Sequence, residues 1–350
     1  MYISVIGHSG SGKTTLFQAL SGIKNDGGYS DRANLAMIDV PDERLDILTN
    51  IFKPKKTVYA RIELADTVAI EEGNVQKGTI NAKTLQQMRT SDAFILIIAY
   101  FDGKSPADAA ADIHAIKGEF ILSDMAQIET RIERMKKQPK KSDTAQAQEE
   151  SLLERCLAHL NEEKSLSSLT LEEQEVRALR GFQFLSLKPM MIVVNSSEDN
   201  MAEGKAQAEV LEKNFPGYSI ISACAKLESE LALMADDERA AFMEEYAIKE
   251  SIRGRIINLA LRTMGLICFL TVGDDECRAW PIKQGMNAQE AAATIHTDLS
   301  NKFIRAETVS YADFMKYGTM AECKKAGVWR LEGKTYIVED GDILNIRAGN

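Results

Sequence analysis

Gly7-His8-Ser9-Gly10-Ser11-Gly12-Lys13-Thr14 is the stretch of this sequence whose residue types and spacing speak most directly of chemistry. It matches G-x-x-x-x-G-K-[ST] without a mismatch. In that pattern the glycines let backbone N–H groups converge on phosphate oxygens with no Cβ in the way. A helix that starts at the end of the loop adds its partial positive charge to the same spot. Lys13 is placed to reach the β- and γ-phosphates, and the Thr14 hydroxyl to bind Mg²⁺. Thr15, the next residue, opens the expected helix and belongs to the same phosphate-binding group. The expected chemistry is the binding of a nucleoside triphosphate, with phosphoryl transfer to water or to an acceptor.

Such a loop works only between a strand and a helix, and the flanks supply both. Tyr2–Gly7 reads as a buried strand and Thr15–Leu20 as the start of a helix. Further apolar, β-branched runs at Val58–Leu64, Phe94–Ala99, Met190–Val194 and Ser219–Ser222 alternate with helical stretches. Uncharged runs of this length suit strands covered on both faces of a mostly parallel sheet, so the expected class is α/β. The alternation stops between about 117 and 180. Met125, Ile128, Ile132 and Met135 form one narrow apolar stripe, and Leu153, Cys156, Leu157 and Leu160 form another beyond a polar link. Two such helices predict an antiparallel hairpin inserted into the nucleotide domain, serving either as a structural insertion or as a partner-binding arm. Thr170 with Glu173 is the pattern of a capping box and predicts another helix start.

After about residue 266 the pattern becomes short strands: Ile267–Val272, Arg278–Ile282, Ile304–Val309, Trp329–Leu331, Thr335–Val338 and Ile343–Ile346, with a helix at Ala288–His296. This predicts a β-grasp module. The expected domains are therefore 1–116 with 181–265 for the nucleotide, 117–180 for the hairpin and 266–350 for the module.

Composition narrows the class. Of the 350 residues, 45% are hydrophobic and 27% charged, as expected of a water-soluble globular chain. No apolar run reaches the roughly 18 residues of a membrane helix, and MYISVIGHSG lacks the pattern of a signal peptide. Five scattered cysteines, odd in number, predict free thiols in a reducing compartment, which places the chain in the cytoplasm. The net charge of −10 argues against broad electrostatic binding to DNA or RNA. Basic residues at 302–347 (Lys302, Arg305, Lys316, Lys324, Lys325, Arg330, Lys334, Arg347) are interleaved with acids and fit a solvated β-surface better than a nucleic-acid groove.

Beyond the loop, the chain resembles the YchF family of Obg-related P-loop NTPases, which carry a C-terminal TGS domain. The resemblance rests most firmly on RAWPIKQG, IHTDLSNKFIRAE and WRLEGKTYIVEDGDILNIR. VPDERLDIL, KPMMIVVNSSED and SACAKLESEL add to it, so that it covers nearly the whole chain. It implies a GTPase-like domain interrupted by a helical hairpin and followed by the β-grasp, with ribosome or RNA as a partner and no membrane. The signature sequence of a transport ATPase is absent, and a small-molecule kinase would leave the C-terminal region unexplained.

The resemblance also assigns residues. GTPases read guanine with N-K-x-D, whereas this chain has Asn195-Ser196-Ser197-Glu198, like the N-x-x-E of the family. Guanine thereby loses a well-placed bidentate acceptor, so ATP is expected over GTP. Ser222-Ala223-Cys224 resembles the loop that backs the base. Read without the family, Asn195 and Glu198 are polar residues at a strand end, where α/β sheets bind ligands. Asp66 aligns with the carboxylate that holds Mg²⁺, and Ser30 with the switch threonine that ligates it. Ala69 stands where that motif has a glycine, and Ile70 leaves no glutamine to orient water. The family's substitute histidine has no counterpart in 101–111. His114, on the following helix, is the candidate in its place. Three readings follow: a slow ATPase switch catalysed through Lys13, Asp66 and His114, a nucleotide-binding scaffold that has lost hydrolysis, and a GTP-specific enzyme.

Overall fold

The computed structural model describes residues 1–23, 34–67, 69–71, 73–74, 82–101, 103–137, 144–245 and 251–349. Ser30 lies outside the described residues. Contacts divide the chain into two units, 1–37 with 63–253 and 38–62 with 254–350.

In chain order the elements begin with β1 (Tyr2–Ile6), α1 (Lys13–Ser21), β2 (Asn34–Asp39), α2 (Glu43–Phe52), β3 (Lys56–Val58) and β4 (Arg61–Asp66). They continue with α3 (Ala82–Thr90), β5 (Ala93–Tyr100), α4 (Pro106–Lys137), α5 (Thr144–Asn161) and α6 (Glu173–Leu179). Next come β6 (Met190–Ser196), α7 (Met201–Asn214), β7 (Ser219–Ala223), α8 (Ala225–Leu233), α9 (Asp236–Glu245) and α10 (Ile252–Thr263). The last part holds β8 (Leu266–Thr271), β9 (Glu276–Lys283), α11 (Ala288–Ile295), α12 (Thr297–Asn301), β10 (Phe303–Ser310), α13 (Tyr311–Tyr317), α14 (Met320–Lys325), β11 (Arg330–Glu332) and β12 (Asp342–Ala348).

The first sheet has the order β2-β4-β1-β5-β6-β7, and β1–β4, β1–β5, β5–β6 and β6–β7 all pair in parallel. Every residue of β5 is buried, and so is every residue of β6. This is the burial of strands covered on both faces, and it explains why their sequences carry no charge. The order reverses around β1, so the strand ends at β1 and β5 open a crevice of the kind that binds ligands in such sheets.

α4 is one helix of 32 residues that passes through position 117 without a break. Its stripe Ile121, Ile128, Ile132 and Met135 packs with Leu152, Leu153, Cys156 and Leu160 of α5, so the hairpin has its own apolar seam. The hairpin root is held by Asp124, fully buried, which accepts the N–H groups of Leu185 at 2.9 Å and Ser186 at 2.7 Å. The helix start expected at Thr170 is displaced. α6 begins at Glu173, and the Glu175 carboxylate accepts the Glu172 N–H at 2.9 Å. An acidic pair there performs the reciprocal capping expected of Thr170 and Glu173.

The second sheet has the order β11-β10-β12-β8-β9-β3, with β8 and β9 antiparallel and β12 parallel to β8. α11 lays Ala288, Ala291 and Ala292 on its face, against Phe269, Ile282, Phe303 and Leu344. This is the β-grasp arrangement. The strand expected at Thr335–Val338 is reduced to one bridge, Asn287 to Ile337. The run expected as a single strand at Val58–Leu64 is also two pieces: β3 pairs with β9, while β4 joins the first sheet. The break lies at Tyr59-Ala60, where the Ala60 carbonyl accepts the Val40 N–H at 2.8 Å.

Candidate nucleotide site

The loop from Gly7 to Thr14 leaves β1 and enters α1, and its glycines are there for steric reasons. Gly7, Gly10 and Gly12 have φ of 152°, 73° and 98°. A Cβ on Gly7 would lie 2.4 Å from the Ile97 carbonyl oxygen, and one on Gly12 would lie 2.3 Å from Asn195 Nδ2. The loop is thus pressed against β5 at Gly7 and β6 at Gly12, where only a residue without a side chain fits, while Gly10 has open space and is set by its positive φ alone.

Lys13 is buried, and its Nζ donates to the His8 carbonyl at 2.7 Å. Burial pushes its pKa down, while the charges of Asp66 and Glu71 work the other way. Thr14 Oγ1 donates to Asp66 Oδ2 at 2.8 Å. Among the described residues no hydrogen-bond partner reaches the other carboxylate oxygen, Asp66 Oδ1, or Ser11 Oγ, both of them buried. Burial raises the Asp66 pKa, opposed by the Thr14 hydrogen bond, the Lys13 charge and the Asn34 side chain. A buried carboxylate oxygen with no donor costs about 1–3 kcal/mol or more unless something fills the gap. A hydroxyl and a carboxylate side by side match what Mg²⁺ takes from a protein, since its remaining ligands are phosphate oxygens and water. Among the described residues no group of three or more His, Cys, Asp or Glu is placed to hold a metal.

Asn195, at the end of β6, is buried, and both halves of its amide are engaged. Nδ2 donates to the Ser11 carbonyl at 2.9 Å, and Oδ1 accepts the Ala225 N–H at 2.9 Å. It ties the loop to the start of α8. Glu198 is exposed and lies 3.1 Å from Lys226, the second residue of α8. Ser222 and Ala223 end β7, and Cys224 caps α8 as a buried thiol whose pKa is raised by burial. The strand-end residues expected for the base therefore do gather on the loop's side of the sheet.

His114 does not join them. It is exposed on α4, and its ring lies against Phe215, with centroids 5.0 Å apart. α4 starts at Pro106, so residue 114 lies about 12 Å along its axis, given a rise of about 1.5 Å per residue. Phe215 is the residue after the last turn of α7, a helix that starts just beyond β6, on the loop's side, and ends far from it. Ile70 is also turned inward: its side chain is in the core and its N–H donates to the Gly7 carbonyl at 3.1 Å. Ala69 is not among the non-glycine residues with positive φ, so this backbone tolerates a Cβ there.

Three residues beside the loop were not singled out from the sequence. His8 Nδ1 lies 3.5 Å from Glu71 Oε2, and His8 Nε2 lies 3.9 Å from Asp112 Oδ1. Glu71 Oε1 accepts the Ser9 N–H at 2.8 Å. His8 fills a variable position of the motif, and Glu71 and Asp112 are distant in sequence, so spacing carried no sign of the group. A cleft of about 300 Å³ lies elsewhere, lined in the second unit by Arg44, Asn258, Arg262, Gln284 and Asp340 among others.

Comparison with known proteins decides the family. Residues 266–349 match the model YchF-GTPase_C, described as a protein of unknown function (DUF933). A protein of Pasteurella multocida called "Ribosome-binding ATPase YchF" is 34% identical over 356 residues, covering 98% of each chain. Its counterpart in Bacillus subtilis is also 34% identical, with the same coverage. The chain belongs to the YchF family. The solved YchF GTPase of Schizosaccharomyces pombe superimposes with a TM-score of 0.81 at 25% identity, over 99% of this chain and 97% of that one. The YchF architecture expected from RAWPIKQG, WRLEGKTYIVEDGDILNIR and the loop is therefore the one present, a P-loop GTPase-like sheet with a β-grasp.

Proposed function

We propose that this chain is a P-loop nucleoside triphosphatase of the YchF kind, which binds ATP in preference to GTP and hydrolyses it slowly as a nucleotide-dependent switch. The observation that carries the reading is the Thr14–Asp66 pair, with its unpartnered Asp66 Oδ1, set beside Lys13 at the mouth of a glycine-shaped loop. The relatives are named as ribosome-binding ATPases, which supports a ribosome-associated role in the cytoplasm for this chain too. In the domain division we favour, 1–116 with 181–265 bind nucleotide, 117–180 form the hairpin and 266–350 the TGS module, with the last two available for partners.

In this mechanism the backbone N–H groups of the loop and the positive end of α1 hold the phosphates. Lys13, whose burial the charges of Asp66 and Glu71 oppose, exchanges its bond to the His8 carbonyl for one to a phosphate oxygen. Thr14 and Asp66 would hold Mg²⁺, which would neutralise charge on the phosphates. Asn195 keeps the loop rigid, Ser222–Cys224 back the base, and Glu198 in place of an aspartate weakens the reading of guanine. With Ile70 in the core and His114 two turns along α4 with its ring against Phe215, hydrolysis has no water-orienting group from either, and this favours slow turnover. The same observation supports, as a second reading, a nucleotide-binding scaffold without hydrolysis.

Phosphate release from ATP and from GTP with Mg²⁺, for wild type beside Lys13→Ala, tests this. Slow release from ATP that the variant loses is expected. Release that Lys13→Ala leaves unchanged would overturn the site, and tight Mg·ATP binding without release would select the scaffold.

A further inference from the structure

The phosphate loop is met by an anion from its own chain. Glu71 follows Ile70, whose buried side chain and bond to the Gly7 carbonyl fix that segment against the loop. From there the Glu71 carboxylate reaches the Ser9 N–H at 2.8 Å and comes within 3.5 Å of His8 Nδ1. His8 in turn faces Asp112, which pairs with Lys104 at 3.2 Å. The field of Glu71 also reaches the buried Lys13 ammonium, where it counters the effect of burial. So a backbone donor of the glycine-rich loop, in a loop shaped to present donors to phosphate, is already taken by a carboxylate. That carboxylate comes from the segment after Asp66. Lys13, placed to reach the β- and γ-phosphates, lies within that field, so Glu71 belongs to the terminal-phosphate end of the loop.

We propose that Glu71 is a specificity-determining residue of the nucleotide site, an internal anion that competes with the terminal phosphate of a nucleoside triphosphate for the Ser9 N–H and penalises triphosphate binding relative to diphosphate. The inference rests on the nucleotide reading given above. A diphosphate carries less charge and leaves the terminal-phosphate end free, so Glu71 keeps its bond. A triphosphate must displace the carboxylate, which turns toward His8 or into water. Like charges a few ångströms apart repel even though Glu71 and Ser9 are both exposed, so the penalty is felt mainly by the ligand that comes nearest.

Calorimetric titration with Mg·AMP-PNP and with Mg·ADP, on the full chain as wild type, Glu71→Gln, Glu71→Ala and Lys13→Ala, tests the assignment without hydrolysis. Glu71→Gln keeps an acceptor for the Ser9 N–H and removes the charge. It is expected to tighten AMP-PNP binding about tenfold or more and ADP binding about threefold or less, and Glu71→Ala to move the ratio the same way. An AMP-PNP to ADP ratio unchanged in both Glu71 variants, while Lys13→Ala loses both ligands, would overturn this proposal and leave the nucleotide site standing. Binding that Lys13→Ala leaves intact, or no binding by any form, would sink the nucleotide reading and this inference together. Binding of AMP-PNP by Glu71→Gln alone would be the strongest support.

Discussion

Asn195 is the residue whose replacement most directly tests how the loop is built. Its side chain satisfies two buried backbone groups at once, the Ser11 carbonyl and the Ala225 N–H, each at 2.9 Å. Asn195→Ala leaves both without a partner. An orphaned buried group costs about 1–3 kcal/mol, and the Ala225 N–H gains some relief from its place at a helix start, so a total of about 2–4 kcal/mol is expected. Asn195→Asp tests the direction. It keeps the volume and the acceptor for Ala225, but once ionised it sets a carboxylate oxygen with no proton to donate against the Ser11 carbonyl, beside a site for anions. Stability should fall by a similar amount to that in the alanine variant, while Mg·ADP affinity should fall further, by about tenfold or more relative to alanine. Urea unfolding gives the first quantity and calorimetric titration the second. An alanine variant within about 0.5 kcal/mol of wild type, or an aspartate variant that binds Mg·ADP as well as the alanine variant, would refute the reasoning.

Asp124→Ala strips the acceptor from two N–H groups at the hairpin root, and a loss of about 2–4 kcal/mol is expected from the urea midpoint; a change below about 1 kcal/mol would show that water replaces it. All five thiols are buried, so Ellman's reagent at pH 8 should titrate none rapidly in the folded chain and five after denaturation. Burial pushes Cys268 up to about 12 and Cys156 up to about 11 from an ordinary 9.0. A raised folded pKa gives stability that is whole below the unfolded value and lost as pH rises toward the folded one. The urea midpoint should therefore fall between pH 9 and 11, and fall less in Cys268→Ala; an equal fall would remove this explanation. Asp66→Asn should cut the Mg²⁺ enhancement of AMP-PNP binding by tenfold or more, because an amide is a weaker ligand than a carboxylate, whereas binding without Mg²⁺ should hold or improve. Equal Mg²⁺ enhancement in both forms would take Asp66 out of the metal site.

What could be read from the sequence was local, and what was missed depended on partners far along the chain. The loop, β5 and β6 declare themselves because a glycine-lysine motif and two uncharged β-branched runs need no context. β2 was not legible: Leu35 and Met37 point outward on this edge strand, so the alternation gives no clear core face. α13 and α14 were passed over although each has a local sign. Ser310 accepts the Asp313 N–H and Thr319 the Glu322 N–H, the S/T-x-x-D/E pattern that begins a helix. His114 was placed on the right helix, but whether it reaches the site depends on where that helix starts. With α4 beginning at Pro106, residue 114 falls two turns along it, exposed and with its ring against Phe215. Asn195 shows the limit from the other side. Its place was legible, but a strand-end asparagine reads equally well as a base contact or as a clip, and only the positions of Ser11 and Ala225, 184 and 30 residues away, show the clip. Glu71 has the same character. One carboxylate among 52 acidic residues has no signature, and it matters because Ser9 presents an N–H 62 residues away. A loop motif specifies which donors a chain will offer to phosphate. It does not specify which of its own anions will occupy them first, and in this chain that second property is what would set the balance between triphosphate and diphosphate.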